Sequence, residues 1–493
     1  MSIAKPSLFA LAFLAATASH AQDSMSSGGK AYREDGMETV KKEPVRIDPG
    51  EKRPADQFRT DLFGRPLVIG GRYEIEPRYT MDRRLDPRRA DDVANVDQDL
   101  QIEMYYRWSP AVSAFLQASA FYNTDVYAED RKPGEEGGVQ LKQAWLFLNR
   151  VFDSDFSLQL GRQRFADRRQ WWWNEELDAG RFYFATDGVF AELAIAQEIS
   201  SKRTDQGYLD PLHKNVLRIL GDVAWQWDEK QSLSLFVLSQ LDGSRTQTVG
   251  ETVYQERSDV RDADLTWVGA RAMGKTKLLD KVKFAYWLDA AVVAGRETTL
   301  GFDDIDDRLT RVESRARKDV LGWGLDIGLT WYSKLPLEPY FTLGYARGSG
   351  DSDPNDGTDR SYRQSGIHNN KVKFSGSQRF RYYGELFKPE LSNLDIKTVA
   401  VGVPLSEESS IDLLYHHYEQ AVPARTIRDT RIRANTTGES GDIGDELDLV
   451  LSLDEWEHFQ VQLVGSAFRA GNAYGELAGK TSAQFFATVK YSF

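Results

Sequence analysis

Apolar and polar residues alternate with a period of two along much of this chain. In 321–332, Leu321, Trp323, Leu325, Ile327, Leu329 and Trp331 fall on one face, and Gly322, Gly324, Asp326, Gly328, Thr330 and Tyr332 on the other. A helix would scatter those apolar residues around its circumference, whereas a strand sets all of them against one surrounding medium. The segment 216–227 repeats the pattern, with Leu217, Ile219, Val223, Trp225 and Trp227 opposite Arg218, Asp222 and Gln226. In 100–107, Leu100, Ile102, Met104 and Tyr106 oppose Gln101, Glu103, Tyr105 and Arg107. In 445–452, Leu447, Leu449 and Leu451 oppose Glu446, Asp448 and Ser452. The C-terminal stretch 484–493 sets Phe485, Ala487, Val489, Tyr491 and Phe493 against Gln484, Thr488, Lys490 and Ser492, with Phe486 out of step.

A chain that ends on a strand with a terminal aromatic fits an outer-membrane barrel, whose last strand closes the ring and whose aromatic sits in the interfacial girdle. A buried edge strand of a soluble sandwich would show the same period. Connection lengths bear on the choice. Short polar joins fall near 108–110, 151–155, 228–231, 334–337, 405–409 and 454–457. Long polar stretches fall near 79–97, 125–138, 201–214, 244–262, 299–318, 350–394, 420–444 and 471–480. Tight turns at one end and long loops at the other are the asymmetry of an outer-membrane barrel. With Asp187-Gly188 as a further turn and 378–388 inside a long loop, the pattern predicts an all-β fold. It is a transmembrane antiparallel barrel of about 18 strands, which leaves an aqueous channel unless loops fill it.

Composition changes this picture little. Mean hydropathy is −0.51, which suits a barrel whose strands show lipid only every second residue. Residues 1–21 carry Lys5, an apolar run from Leu8 to Ala16, and Ser19-His20-Ala21 before Gln22, the layout of a secretory signal peptide. That run is too short to span a bilayer as a helix. Residues 22–60, rich in Ser, Gly, Lys, Glu and Pro, read as a flexible periplasmic tail, which leaves 61–493 for the barrel. The expected location is the Gram-negative outer membrane, with its lipid as the surrounding medium. No cysteine is present, so no disulfide scaffold exists. A formal net charge of −13 disfavours nucleic acid as a partner.

Several stretches, matching in order over most of the mature chain, resemble the alginate export porins. They are Leu160-Gly-Arg-Gln-Arg164, Ser200-Ser-Lys-Arg-Thr-Asp205, Gly344-Tyr-Ala-Arg-Gly-Ser-Gly350, the run from Gly384-Glu385 through Pro389-Glu-Leu-Ser-Asn-Leu394, and Gly471-Asn-Ala-Tyr474. The resemblance implies an 18-stranded monomeric barrel that passes a secreted polyuronate through a lumen narrowing to a zone rich in Arg and Lys. It implies no cofactor. A polyuronate carries one carboxylate per sugar, and a ring of cations lowers the electrostatic barrier to its passage. Arginine suits the task because its planar fork pairs with carboxylate through two hydrogen bonds and keeps its charge.

Carried over residue by residue, the family's zone implies Arg72 on the first strand, beside Glu74 and Glu76. Lys142 stands in place of an arginine, Arg164 matches the second arginine of its motif, and Asp205 an acidic position after Arg203. In the loop after 350, Lys371 replaces one arginine and Arg379 matches another. Gln101 and Gln462 stand where the family carries arginine, and Asn174 and Thr488 where it carries aspartate. Equally, each Arg or Lys on a polar strand face reads as ordinary lumen wall paired with a carboxylate. The alternation is broken at Lys142 and Arg164, whose parity Leu146 and Leu160 share; a bulge near Gly161 would restore the second.

The family plugs its barrel with one long external loop and one long periplasmic one. Here the matching segments are the shorter 125–138 and the tight turn 454–457. The loop 350–394 and the tail 22–60 are left to occlude the channel, and Lys371, Arg379 and Arg381 are expected to be drawn to Asp326, Glu446 and Asp448. Asp351-Ser-Asp353-Pro-Asn355-Asp356-Gly357 only partly fits a calcium loop, since its Gly comes one place late and Tyr362 takes the place of the ligating Glu. Trp171, Trp172 and Trp173 read either as sugar platforms or as girdle residues. Enzyme signatures are weak: His416 and His417 point to opposite faces of a strand, and the sequence holds no Gly-x-Ser-x-Gly elbow and no His-Glu-x-x-His. His417 beside a serine of a neighbouring strand is the one residual hydrolase arrangement. Export of an anionic polysaccharide, with a periplasmic secretion scaffold as a further partner, is therefore the leading expectation. A diffusion porin taking up small anionic sugars is the alternative.

Overall fold

The computed structural model describes residues 53–493, apart from 207, 229, 246, 279–281, 307, 375 and 377. The readings of 1–21 and of most of the tail, 22–52, lie outside the described residues. Eighteen long strands follow one another along the chain. The first six are β1 (Arg65–Met81), β2 (Val93–Ser109), β3 (Val112–Ala128), β4 (Glu135–Leu148), β5 (Phe156–Ala166) and β6 (Asn174–Ala185). Then come β7 (Val189–Gln197), β8 (Val216–Asp228), β9 (Gln231–Asp242), β10 (Arg261–Leu278), β11 (Val282–Asp304) and β12 (Leu309–Tyr332). The ring is completed by β13 (Tyr340–Gly348), β14 (Leu394–Pro404), β15 (Ser410–Gln420), β16 (Asp442–Leu453), β17 (Phe459–Ala470) and β18 (Thr481–Ser492). Each pairs antiparallel with the next, and β18 pairs with β1 from Arg72↔Ser492 to Met81↔Ala483, so the sheet closes. Among the described residues no helix is long and apolar enough to cross a membrane.

The period-two pattern is explained by the closed wall. Leu321, Trp323, Ile327, Leu329 and Trp331 are exposed on its outside, while Asp326 and Thr330 are buried within. The same holds for Leu447 and Leu449 against Glu446 and Asp448, and for Phe485 against Gln484 and Thr488. Connections at the end where β1 begins are short, such as 110–111, 186–188 and 454–458; those at the other end include 198–215, 243–260, 349–393 and 421–441. One long connection is an exception to the expectation. The polar stretch 299–318 is mostly strand, because β11 and β12 stay paired to Asp304↔Thr310. Charged side chains on both faces, such as Arg311, Arg315 and Arg317, mark a hairpin standing in water rather than a loop.

Loops fold back and fill one side of the lumen. The segment 349–393 descends inside the ring: Trp171 Nε1 donates to Tyr383 Oη (3.0 Å), Tyr383 Oη donates to Asp326 (2.8 Å), and Glu446 accepts the backbone N–H groups of Leu386 and Phe387 (2.8 Å each). Phe387 stacks on Phe468 with ring centroids 5.0 Å apart. Small residues make room. A Cβ on Gly324 would lie 2.6 Å from Tyr362, and Gly384, at φ +99°, would put one 2.3 Å from the Tyr418 hydroxyl. Trp171, Trp172 and Trp173 sit in this interior, each 1 % exposed. They lie neither on a strand nor in a girdle. The loop between β5 and β6 turns inward, and Asp167 caps it by accepting the N–H groups of Trp172 (2.8 Å) and Trp173 (3.0 Å).

The wall has one seam. β4 and β5 pair over only five residues a side, from Ala144↔Arg162 to Leu148↔Leu158. Above that point β5 leans away with β6, and residues 200–204 occupy the gap. Leu141 N–H donates to Lys202 O and Thr204 N–H to Val139 O, each 3.0 Å. Arg162 joins all sides, donating to Leu141 O (3.4 Å), Ser200 O (2.8 Å) and Asp178 (2.7 Å).

Candidate functional site: a basic corridor along one wall of the lumen

The side of the lumen lined by β18, β1, β2 and β4 is lined with charge rather than packed with apolar side chains. On β1, Arg72 and Glu74 are 3.5 Å apart, and Lys490 of β18 reaches the same Glu74 carboxylate at 3.6 Å. Lys142 pairs with Asp99 of β2 at 3.6 Å. A bulge in β4 makes this possible: Gln117 faces Gln143 and Ala118 faces Leu141, so Lys142 is the extra residue and turns inward although its parity is wrong. Higher on β1, Arg78 pairs with Glu76 and lies over the Phe486 ring at 4.1 Å. Thr488 Oγ1 donates to Glu76 (2.7 Å), and Gln101 accepts from Gln117 (3.2 Å).

The opposite bank of the corridor is the inserted loop. Lys371–Val372 and Phe380–Arg381 form a small antiparallel ladder. Arg379 donates to Lys371 O (3.4 Å), and Gln462 of β17 donates to Arg379 O (3.3 Å). Arg381 donates to Asn369 Oδ1 (2.7 Å) and lies 3.9 Å from Glu385. Burial pushes the Lys371 ammonium down to about 8, and the nearby Arg381 and Lys490 charges act in the same sense. Loop and wall meet directly at β17, where Gln378 donates to Val461 O (3.2 Å) beside the Gln462 contact to Arg379. Arg431, from the 421–441 connection, donates to Gln484 of β18 (2.8 Å) and to Glu385 O (3.1 Å) there.

These ion pairs differ in kind from those on the filled side. Arg72, Glu74, Lys142, Asp99 and Lys490 keep 13–25 % of their side-chain surface open. Arg169 and Asp289, 3.1 Å apart, keep 1 % and 0 %. Dry pairs with several partners lock structure, whereas half-open cations beside fewer carboxylates remain able to exchange partners with a passing anion.

Ten residues were expected at the zone, and the structure brings them together in four groups. Arg72, Lys142, Lys371, Arg379, Gln462 and Thr488 border the corridor. Gln101 lies at its lower edge in a run of amides. Arg164 donates to Asn174 and lies 3.7 Å from Glu176, on the part of β5 and β6 beyond the pairing with β4. Asp205 pairs with Arg203, which lies over Phe121 at 4.4 Å and also meets Glu136 near the loop end. The acidic partners expected for the inserted loop are corrected. Asp326 is held by Arg169 (2.6 Å), and Glu446 and Asp448 bind backbone N–H groups of the loop, so all three carboxylates are engaged by other partners. Sequence reasoning missed Arg78, Arg431 and Lys490 as corridor residues. Arg78 shares Arg72's parity, and Lys490 sits on the polar face of the last strand, so two of them had a signal. His416 is buried, bonded to Thr398 (2.9 Å), and His417 is outside, bonded to Asp445 (2.9 Å). Asp351 and Asp356 both pair with Arg360, and among the described residues no three His, Asp or Glu side chains gather as a metal site.

A closed ring of antiparallel strands, apolar outside and charged within, with tight turns at one end and long loops at the other, is an outer-membrane channel of the β-barrel class. The Alginate export family profile matches residues 65–488, and the chain belongs to that family. It is 28 % identical to the alginate production protein AlgE of Pseudomonas aeruginosa over 471 residues, covering 89 % of this chain and 94 % of that one. Against AlgE of Azotobacter vinelandii the identity is 24 %, covering 79 % and 84 %. Among solved structures, Pseudomonas aeruginosa OpdK, crystallised with vanillate, superposes with a TM-score of 0.51 at 12 % identity, covering 86 % of this chain and 98 % of that one. That likeness is one of fold.

Proposed function

We propose that this channel exports an anionic polysaccharide, alginate or a related polyuronate, through the corridor bordered by Arg72, Lys142, Lys371, Arg379, Gln462 and Thr488, with Gln101 below and Arg164, Asn174 and Asp205 towards the mouth. The observation that carries the reading is the half-open, unevenly neutralised charge of the corridor. Its cations outnumber their carboxylates, and Lys142 and Lys490 stand 3.6 Å from theirs rather than in forks. Such sites attract a polyanion without trapping it, which is what passage requires. Part of the charge rides on the inserted loop, so the polymer displaces the loop as it binds. The catalytic reading is set aside because the residues opposite His417 on the two neighbouring strands are Lys397 and Asp445, not serine.

The channel works as a monomer in outer-membrane lipid. Residues 1–21 are removed on export, the 22–60 tail lies in the periplasm, and a secretion scaffold there hands over the polymer. Single-channel recording with polymannuronate, polyguluronate and a neutral glucan added from each side tests the reading. Block by the uronates at concentrations well below the glucan, strongest from the periplasmic side, is expected. Equal block by all three would refute it, and preference for short anionic sugars from outside would favour uptake.

A further inference from the structure

Below the corridor the inner wall carries a second lining of packed aromatics and amides, with the buried Arg181–Glu192 pair and Glu103 beside it. On the wall from β2 to β7, lipid faces Met104, Leu116, Leu146 and Phe182, all exposed. Their neighbours in the alternation therefore point inward, and these are aromatic. Phe115, Trp145, Phe147 and Tyr183 form one cluster, separate from the main core, with Tyr105 and Phe190 against it. Phe115 and Trp145 have ring centroids 5.3 Å apart, and Phe147 meets Tyr183 edge-on at 6.0 Å.

Directly above the rings runs a ladder of amides. Trp145 Nε1 donates to Gln143 (3.1 Å), Gln143 to Gln117 (3.0 Å) and Gln117 to Gln101 (3.2 Å). On the next strand, Tyr183 donates to Gln159 (2.5 Å). The ladder is incomplete. Gln159 Nε2 and Ser119 Oγ, in residues 1 % and 2 % exposed, have no hydrogen-bond partner among the described residues. A buried amide left without an acceptor costs about 1–3 kcal/mol, so sites that carry one are commonly completed by a ligand or water.

We infer that this row is a binding site for the pyranose rings of the transported chain, one that recognises sugar rather than charge. Aromatic walls with a few placed amides are the lining of small polar-ligand sites. The ring faces of a hexopyranose are apolar and its hydroxyls both donate and accept, which suits a tryptophan beside glutamines. The inference rests on the reading that a polysaccharide threads the lumen. The row sits at the periplasmic end, where an exported chain arrives, and it supplies affinity that does not depend on the carboxylates read higher up.

The row has a cover. Residues 53–57 run along the rim of this mouth, with Arg53 Nη2 donating to Glu103 (2.9 Å) and its guanidinium 6.0 Å from the Phe115 ring centroid. Ala55 N–H donates to Glu457 (3.0 Å), and Asp56 lies 3.6 Å from His458. An arriving sugar displaces Arg53 from the ring while the segment stays tethered at Glu457.

The experiment uses the full-length channel in planar bilayers, with three hexamers added from the periplasmic side: β-1,4-mannohexaose, hexamannuronate and hexaglutamate. Trp145→Ala and, separately, Gln143→Leu are expected to shorten the residence of both sugars about tenfold and leave hexaglutamate unchanged. Arg53→Ala is expected to raise the association rate of mannohexaose. Arg164→Glu with Arg379→Glu should weaken the two anions alone, so failure of the export reading registers in a different arm. Wild-type residence of mannohexaose in both row variants, each verified as a heat-modifiable barrel on gels, would overturn the inference. So would equal weakening of hexaglutamate.

Discussion

Glu446 anchors the inserted loop, and its removal tests whether that loop gates the channel. The carboxylate accepts the N–H groups of Leu386 and Phe387 at 2.8 Å each and lies 3.3 Å from the Tyr418 hydroxyl. In Glu446→Ala both N–H groups stay buried without partners while the loop is inside, and regain water when it swings out. Each orphaned donor costs about 1–3 kcal/mol, so the inward state loses about 2–6 kcal/mol relative to the outward one. At the lower bound that is about a 30-fold rise in the frequency of outward excursions, at 1.4 kcal/mol per tenfold. The loop will still be mostly inside, because Phe387 remains stacked between Phe468 and Tyr418. Bilayer recordings should therefore show brief steps to a larger conductance, about 30-fold or more as frequent as in the parent. Gly384→Ala attacks the same anchor independently, since a Cβ there meets Tyr418 and Glu446 and the backbone lies at φ +99°. If both variants fold and keep the parental frequency of large steps, the loop is a fixed filler and the gating argument is wrong.

Three further outcomes are expected. Replacing Arg164 and Arg379 with Glu should lower anion preference, read as a shift of reversal potential in a salt gradient; an unchanged potential would remove both from the constriction. Lys371, pushed down to about 8 by burial, is charged below that pH and neutral above it. Anion selectivity should therefore fall as pH rises through about 8, and Lys371→Arg should abolish that step. Ile327→Arg places a cation on the lipid face and should destabilise the barrel by about 2–4 kcal/mol near the midplane, measured by denaturant titration in lipid; a neutral effect would mean that Ile327 does not face lipid.

The wall was readable in the sequence because lipid on one side and water on the other impose a period of two on every spanning strand. Strand number, the 186–188 turn and the inward course of 350–394 follow from that pattern and from connection length. What escaped it has physical reasons. Outside the membrane both faces of a strand are wet, so the β11–β12 hairpin reads as loop over 299–318. The three tryptophans read as sugar platforms or girdle residues, and nothing local announces that Asp167 caps a loop which carries them inward. The bulge at Lys142 is visible only as a broken alternation. Arg162 shows the limit of motif matching. It lies in the same motif as Arg164 and is equally basic, but it is spent on joining β4, β6 and residue 200 at the seam.

That seam sets a floor under permeability. Where β5 and β6 part from β4, their hairpin carries fully buried side chains such as Phe165 and Leu177, so the cylinder itself contributes to its own obstruction, and the opening left behind is darned by 200–204. A removable stopper can be cut away by deleting a loop; a fold of the casing cannot, because it is continuous with the hydrogen-bonded ring. Trimming every external loop would therefore widen the bore only as far as this hairpin allows. A cell carrying such a trimmed channel should stay closed to large antibiotics while its small-ion conductance climbs.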